Sequence, residues 1–328
     1  MQITSRQIET FYAVVSIGSM TGAARFLGRT QSAVSRLISD LEGSTGLILF
    51  ERSGARLYPT QAGLSMYDEV RHSYVGLQNI VEKARQLAAG VSVRRLTLGA
   101  TPALSGGLLS SALTQVVGTQ DMTQAVLSSM TSESVIKSVA DGVLDLGLAT
   151  LPIDIADTRL HWIGEAPCVA VLAEDDPLAA REAISLAELT SRRILTVGNP
   201  FRLRRTIDAA LKANSLTLTA PLETNTSLNA VMAARNKLGV AIVEPVTAHA
   251  IPVRGVVIRP ILEYIPSVWG VITPAFRPLP PMVETLIEAV ESVATNLLPG
   301  FVRHPPEELN TIHTRLFRRD PDSDDSCS

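Results

Sequence analysis

The sequence has few cysteines, few histidines and no long apolar run. Its two cysteines, Cys168 and Cys327, form no closely spaced pair, which argues against a zinc knuckle or a disulfide framework. No apolar stretch approaches the roughly 18 residues of a membrane span, and the segment "MQITSRQIETF" lacks an apolar signal-peptide core. We therefore expect a protein of the reducing cytoplasm, without contact to a membrane and without a metal or cofactor.

Short catalytic motifs are also missing. The sequence contains no G-x-S-x-G, HExxH, G-x-x-x-x-G-K-[ST] or G-x-G-x-x-G pattern, and these patterns mark hydrolases, zinc proteases and nucleotide-binding enzymes. The five histidines are scattered along the chain and form no constellation for acid–base or metal chemistry. We therefore expect a protein that is not an enzyme.

Composition and charge describe a globular protein of at least two domains. The 328 residues are 46% hydrophobic and 19% charged, with a net charge of −3, so the chain can bury a sizeable core. Residues 1–58 contain six arginines and four acidic residues, a local charge of +2, which leaves −5 for the remainder. A mildly basic N-terminal module on an acidic body is compatible with an anion-binding module.

Local signals in residues 1–59 predict three helices followed by a short hairpin. Thr4 and Gln7 form a T-x-x-Q capping box at the start of the first helix. Ser19 and Thr30 stand at N-cap positions for the second and third helices. Two helices joined by a short turn fit a helix-turn-helix, and the basic hairpin "LILFERSGARLYPT" predicts a wing.

The third helix, in "RTQSAVSRLISDLE", has an unusual outer face. Apolar residues follow a helical spacing on one side, whereas the other side carries serines and one arginine. Long charged side chains favour a solvent-facing helix more than serine does, but short hydroxyls let a helix enter the DNA major groove. For any single serine, an ordinary hydroxyl on the helix surface is as good an interpretation as a DNA contact. The candidate DNA-binding residues are Arg29, Thr30, Gln31, Ser32, Ser35, Arg36, Arg52 and Arg56.

These side chains suit different contacts. Gln31 can pair with adenine, and Arg36 can reach guanine or a phosphate. Arg29 and Thr30 stand at the positive end of the helix, which favours phosphate. The arginines of the wing suit the DNA backbone or the adjacent minor groove.

Residues 60–90 form a predicted linker helix. Seven hydrophobic positions alternate three- and four-residue steps without a break, which is typical of a seam between paired helices. Packing of this helix on its own subunit is the alternative. The proposed dimer seam consists of Tyr67, Val70, Tyr74, Leu77, Val81, Ala84 and Ala88.

From residue 91 to 300 the pattern changes to alternating strands and helices, which predicts α/β architecture with parallel sheets and helices on both faces. Two series of strands suggest two lobes, with lobe I at about 91–165 and 268–300 and lobe II at about 166–267. Residues 301–328 lack apolar periodicity, and we expect them to be disordered. Strands are predicted in "RRLTLGA", "TQAVLSSM", "LDLGLAT", "PCVAVLAE", "RILTV", "LTLTA", "GVAIVE", "VVIRPI" and "SVWGVITP".

Residues 3–63 resemble a known family. The segments "FYAV…GSMTGAARFL", "TQSAVSRLISDLE" and "PTQAG" are similar to the N-terminal region of LysR-type transcriptional regulators. The resemblance implies a winged helix-turn-helix, a long linker helix that pairs two subunits and a two-lobed, periplasmic-binding-protein-like effector domain. It further implies homodimers, often homotetramers, on double-stranded promoter DNA, with RNA polymerase as a further partner. The segment "KLGVAIVEPVTA" resembles the branch that senses lysine, diaminopimelate or opines.

The ends of the predicted strands are rich in hydroxyl groups. Ligands of open α/β sheets bind beyond the carboxyl ends of strands, although helix capping alone explains each hydroxyl singly. Glu133, Glu223 and Glu244 are alternative partners for the ammonium group of an amino acid. The candidate effector-binding residues are Thr101, Pro102, Ala103, Ser129, Thr131, Ser132, Thr150, Asn199, Phe201, Asn225, Thr226 and Glu244.

These observations favour a DNA-binding regulator controlled by a small carboxylate effector, such as an amino acid or opine. A solute-binding or sensor protein without promoter-specific DNA binding is the alternative, since the lobes alone would suit it. The basic N-terminal module argues against that alternative.

Overall fold

The structure is a computed structural model in two compact units, Met1–Ser92 and Val93–Ser328, each described by itself. Within the described ranges, no helix combines the length and apolar character needed to cross a bilayer. The residues described are 3–53, 56–67, 70, 95–116, 124–151, 154–198, 203–218 and 221–317.

The first unit begins with three helices and a hairpin, as predicted. Thr4 accepts a hydrogen bond from the backbone of Gln7 at 3.3 Å, and the Gln7 side chain accepts one from the backbone of Thr4 at 2.7 Å. The capping box is thereby confirmed, as are the N-caps Ser19 and Thr30. The elements are α1 (Ser5–Ile17), α2 (Met20–Phe26), α3 (Gln31–Thr45), β1 (Phe50–Ser53) and β2 (Arg56–Pro59), and residues 61–67 are helical.

The core of this unit includes two residues assigned above to the dimer seam. Val70 is 6% exposed and belongs to the same apolar cluster as Phe11 of α1. Tyr67 stacks on Tyr12 with ring centroids 5.5 Å apart, and its hydroxyl lies 2.9 Å from that of Ser16. Tyr67 and Val70 therefore pack within their own unit, which is the alternative given above for this helix, and their assignment to a dimer seam stays a prediction. The other five seam positions, Tyr74, Leu77, Val81, Ala84 and Ala88, lie outside the described residues.

The second unit contains alternating strands and helices. Its strands are β3 (Arg95–Ala100), β4 (Gln124–Ser129), β5 (Leu146–Thr150), β6 (Thr158–Pro167), β7 (Val169–Ala173), β8 (Ile194–Val197), β9 (Leu222–Thr224), β10 (Val240–Val243), β11 (Val256–Pro260), β12 (Pro266–Pro274) and β13 (Val302–His304). A continuous helical run, α4, covers 102–115 and includes a π turn at Ser105–Leu109. The other α-helices are α5 (Ser132–Ala140), α6 (Leu186–Thr190), α7 (Leu203–Ala213), α8 (Ser227–Arg235), α9 (Pro245–Ala250), α10 (Pro281–Leu297) and α11 (Leu309–Phe317).

Two sheets divide this unit into lobes. Lobe I holds a sheet of strand order β13-β6-β12-β5-β3-β4, and lobe II one of order β11-β7-β10-β8-β9. The chain crosses between them at 167–168 and again at 261–265, where the Cys168 amide donates to the Ile265 carbonyl at 2.8 Å. The predicted combination of a helix-turn-helix with a two-lobed α/β domain is confirmed.

The prediction of parallel sheets holds for only part of each sheet. Strands β3, β4 and β5 pair in parallel, as do β8, β9 and β10. Strands β6, β7, β11, β12 and β13 instead form antiparallel pairs. The strands flanking the two crossovers pair in this antiparallel way, and an antiparallel pair needs no helical connection of the kind that the βαβ pattern predicts.

Three local predictions also need correction. The ten-residue strand β6, "TRLHWIGEAP", was not expected, because His161 and Glu165 interrupt its apolar pattern. Residues 216–218 of "LTLTA" are not a strand, and β9 comes later in the chain. Residues 302–317 are folded rather than disordered, because α11 buries Ile312 against lobe I. Residues 318–328 lie outside the described residues.

Close packing joins the lobes on one side. A Cβ added to Gly107 in α4 would lie 2.4 Å from a methyl of Val246 and 2.9 Å from Ala250, both in α9. Val246 belongs to the core cluster of lobe I although α9 follows a strand of lobe II. A residue without a side chain is needed for this helix contact.

Candidate functional sites: an exposed helix face and an interlobe cavity

One face of α3 is free of contacts with its own core. Val34, Ile38 and Leu41 are buried, whereas the opposite side is exposed along its whole length. Thr30 accepts a hydrogen bond from the Ala33 amide at 3.2 Å, so the helix begins with a bound hydroxyl. The exposed side chains of this face are Gln31, Ser32, Ser35, Arg36 and Ser39.

The cations of this region are held loosely. Arg36 is 85% exposed and lies 3.9 Å from Asp40, four residues along the helix. Arg29 is half-buried and lies 3.7 Å from Glu9. An exposed pair such as that of Arg36 contributes about 0–1 kcal/mol, so an incoming phosphate can compete with Asp40 for Arg36. The strand positions of Arg52 and Arg56 flank the hairpin turn, but their side chains lie outside the described residues.

A cavity of about 380 Å³ lies between the lobes of the second unit. Ten of the twelve candidate effector-binding residues line it, and the other two, Asn199 and Phe201, lie outside the described residues. Lobe I contributes Thr101, Pro102, Ala103, Leu104, Ser129, Met130, Thr131, Ser132, Thr150, Ser267 and Trp269. Lobe II contributes Val197, Leu203, Asn225, Thr226, Ser227 and Glu244.

The wall from lobe I presents hydroxyl groups at the ends of β3, β4 and β5. Thr131 caps α5 by accepting from the Ser134 amide at 3.3 Å, and the buried Ser132 accepts from the Thr150 amide at 3.1 Å. Thr101 stands at the N-cap of α4 but makes no capping hydrogen bond. Capping and cavity lining are therefore combined at Thr131, whereas the hydroxyl of Thr101 is not used as a cap.

The wall from lobe II holds a carboxylate. Glu244 follows β10, and its carboxylate accepts hydrogen bonds from the hydroxyls of Ser227 and Thr247. Burial raises the pKa of Glu244, and these hydrogen bonds oppose the shift. Among the described lining residues, Glu244 is the one with a formal charge. A cation bound beside it would stabilise its ionised form.

The two other acidic candidates lie elsewhere. Glu133 is exposed in the first turn of α5, and Glu223 pairs with Arg204 at the start of α7. Neither lines the cavity. In the part of the chain that the structure describes, no group of three His, Cys, Asp or Glu side chains could hold a metal ion.

Seven lining residues are absent from the list of candidate effector-binding residues. Met130 and Ser227 stand at strand ends where that list already has their neighbours, and Val197 is the last residue of β8, so a wider window includes all three. Ser267 and Trp269 come from β12, which enters lobe I more than 100 residues after β5, and no local signal connects them to the cavity. The missed residues are Leu104, Met130, Val197, Leu203, Ser227, Ser267 and Trp269.

Two family models match the chain. The LysR substrate binding domain matches residues 89–295, and the bacterial regulatory helix-turn-helix protein, lysR family, matches residues 5–64. Together they cover both units.

Curated relatives match over most of their length. Regulatory protein NocR of Agrobacterium fabrum is 29% identical over 296 residues, which is 89% of this chain and 98% of NocR. The octopine catabolism/uptake operon regulatory protein OccR of Rhizobium meliloti is 33% identical over 252 residues, or 74% of this chain and 80% of OccR. Transcriptional activator protein LysR of Escherichia coli is 27% identical over 86% of this chain and 90% of its own.

Solved structures share the fold. Full-length CbnR in complex with its target DNA has a TM-score of 0.65 at 19% identity, covering 90% of this chain and all of that one. Full-length BenM has a TM-score of 0.53 at 20% identity, covering 90% of this chain and 97% of that one.

Proposed function

The chain belongs to the LysR family of transcriptional regulators, and we propose that an amino acid or opine bound in the interlobe cavity controls its binding to promoter DNA. The exposed face of α3 and the wing contact the DNA in this proposal. The cavity takes the effector, and the regulator acts in the cytoplasm as a homodimer or homotetramer with RNA polymerase as a further partner.

The position of Glu244 carries the effector proposal. It is the charged residue of the described cavity wall, and burial raises its pKa. A buried carboxylate without a counter-charge is costly, whereas one that meets an ammonium or guanidinium group is stabilised. The cavity therefore suits a ligand with a cationic end, as amino acids and opines have.

The wall from lobe I suits the carboxylate of the same ligand. Hydroxyls of Thr101, Thr131 and Ser132 stand there at the N-termini of α4 and α5. Helix N-termini present free amide groups and a partial positive charge to an anion. A ligand with a carboxylate at lobe I and its cation at Glu244 would join the two lobes. The regulator OccR, whose name refers to octopine, supports an opine as the effector.

The proposed DNA contacts follow from the exposed face of α3. Gln31 reads adenine, Arg36 reads guanine or holds a phosphate, and Ser32 and Ser35 allow close approach. Arg29, Thr30, Arg52 and Arg56 contact the backbone or the minor groove in this proposal. The pairs of Arg29 with Glu9 and of Arg36 with Asp40 would exchange for phosphate or base contacts.

Footprinting on DNA upstream of the protein's own coding sequence tests both parts. We expect protection of a specific site, and we expect lysine, diaminopimelate or octopine to change its extent or affinity. Protection that none of these compounds alters would reject the effector proposal while leaving DNA binding intact. Absence of any protected fragment would contradict the proposed promoter binding.

A further inference from the structure

The C-terminal segment, residues 301–317, lies beyond the end of the family match at residue 295. It is nevertheless built into lobe I. Strand β13 pairs with β6, so that Val302 lies opposite Glu165 and His304 opposite Ile163. Helix α11 then places Ile312, which is 4% exposed, in an apolar cluster of lobe I.

A buried carboxylate connects this segment to the hinge. Glu165 is 2% exposed and stands two residues before the end of β6, at the first crossover between lobes. From the C-terminal segment, Nε2 of His304 lies 3.0 Å from this carboxylate and Arg315 forms an ion pair with it. From the second crossover, the Tyr264 hydroxyl donates to it at 2.8 Å.

The second crossover is tied to both lobes through neighbouring residues. Glu263 accepts a hydrogen bond from the Leu186 amide of lobe II at 2.7 Å. Tyr264 is tied to Glu165 of lobe I, and burial together with this carboxylate raises the pKa of Tyr264, so its hydroxyl remains a donor. The attachment of the second crossover to lobe I therefore depends on the Glu165 carboxylate, which His304 and Arg315 also bind.

The segment also touches the wall of the cavity. Phe301 stacks on Trp269 with ring centroids 5.8 Å apart and meets Trp162 edge-on at 6.2 Å. Trp269 lines the cavity, whereas Phe301 does not. The same short segment therefore contacts the hinge through Glu165 and the cavity wall through Phe301.

We propose that residues 301–317 form a strut that holds the second crossover to lobe I and thereby restrains movement between the lobes. When Arg315 and His304 are in place, Arg315 balances the charge of Glu165 and both side chains hold the carboxylate in position for Tyr264. Without them, a buried carboxylate is left short of partners, which is strongly unfavourable. Release of the segment therefore loosens the hinge.

Hydrogen exchange of the full-length protein without ligand tests the strut. In Arg315→Ala, we expect amides of 261–268 to exchange about tenfold faster than in the wild type, because the charge-assisted hydrogen bond from Arg315 to Glu165 is lost. Arg303→Ala is the matched control. It also removes an arginine side chain from the C-terminal segment, but Arg303 pairs with Glu291 of α10 at 3.0 Å rather than with Glu165.

A second variant separates the strut from simple attachment of the segment. Tyr264→Phe removes the crossover's hydrogen bond to Glu165 and leaves Arg315 and His304 in place, so we expect faster exchange at 261–268 with unchanged protection of 302–317. Unchanged exchange at the crossover in both Tyr264→Phe and Arg315→Ala would overturn the proposal. An equal increase in the exchange rate at 261–268 in Arg315→Ala and Arg303→Ala would overturn the proposal as well.

Discussion

The exposed face of α3 and the interlobe cavity use similar side chains in opposite settings. Both are rich in hydroxyls, but those of α3 come from one stretch of ten residues and face outward. Those of the cavity come from separate strand and helix ends of two lobes, and several already hold a backbone amide. A long polyanion can be met by a continuous outer surface, whereas a small ligand needs groups fixed in advance on several sides.

Charge separates the two sites further. The helix face offers cations in weak, exposed pairs, and the cavity offers one buried carboxylate. The first arrangement favours an anion that displaces the weak partner, and the second favours a cation that relieves the burial of charge. Substitutions in the helix face should therefore leave effector affinity unchanged, and substitutions in the cavity should leave DNA affinity without ligand unchanged.

Replacement of Glu244 should have the largest effect, lowering effector affinity without changing DNA affinity. Glu244→Gln retains the shape but loses the charge for the ligand's cation, and we expect effector affinity to fall about 100-fold, equivalent to about 2.7 kcal/mol. Thermal shift with lysine, diaminopimelate and octopine measures the loss, and Glu223→Gln, outside the cavity, is the control. A normal ligand response in Glu244→Gln would contradict the role of the carboxylate. Operator affinity without ligand should be unchanged.

Replacement of Gln31 should affect the other site. Gln31→Ala should weaken binding to the operator by about 1–3 kcal/mol, because one base-reading pair is lost. Competition with specific and scrambled duplexes measures it, and Ser39→Ala, farther along the same face, should change operator binding less. Equal losses on both duplexes would reject base reading by Gln31. The effector affinity of Gln31→Ala should match that of the wild type.

Two adjacent glycines offer a test confined to the second unit. Gly107→Ala places a methyl against Val246 and Ala250, and we expect overpacking to lower the free energy of unfolding by about 1–3 kcal/mol. Gly106→Ala meets one atom at 3.9 Å and should be neutral or slightly stabilising. Denaturant unfolding of the two variants measures the difference. Similar stability of both would show that the contact between α4 and α9 tolerates expansion.

The pH dependence of the two sites should also differ. Because burial raises the pKa of Glu244, the acid becomes neutral at a higher pH than an exposed glutamate does. Effector affinity should therefore be full above that raised pKa and fall by up to about tenfold per pH unit below it. Calorimetric titrations across the acidic range would measure this slope. A slope that persists in Glu244→Gln would assign the effect to another group.

The sequence was most informative where the structure depends on neighbouring residues. The capping box at Thr4 and the face of α3 are local patterns, and both were predicted from spacing. The hydroxyl-lined wall of the cavity can also be predicted from the sequence, because parallel strands of an α/β sheet end at a common edge. Trp269 and Ser267 could not be predicted in this way, since β12 joins lobe I from a distant part of the chain.

The C-terminal segment was misjudged for a related reason. Its apolar residues Leu309, Ile312 and Leu316 are too few for a clear helical stripe, and the partner of Arg315 is 150 residues away. Glu165 likewise interrupts the apolar pattern of β6. A buried carboxylate is tolerated there because groups from two other segments of the chain bind it. Both errors arise where tertiary contacts, rather than local spacing, stabilise the structure.

Calorimetric titration of the full-length protein at neutral pH is the most direct test of the proposal that the cavity selects a cationic carboxylate. The ligands are lysine, diaminopimelate and octopine, with succinate as a carboxylate that has no cation. We predict saturable binding of at least one of the first three, greatly weakened in Glu244→Gln, and no binding of succinate. Binding of succinate without binding of any cationic acid would contradict the account.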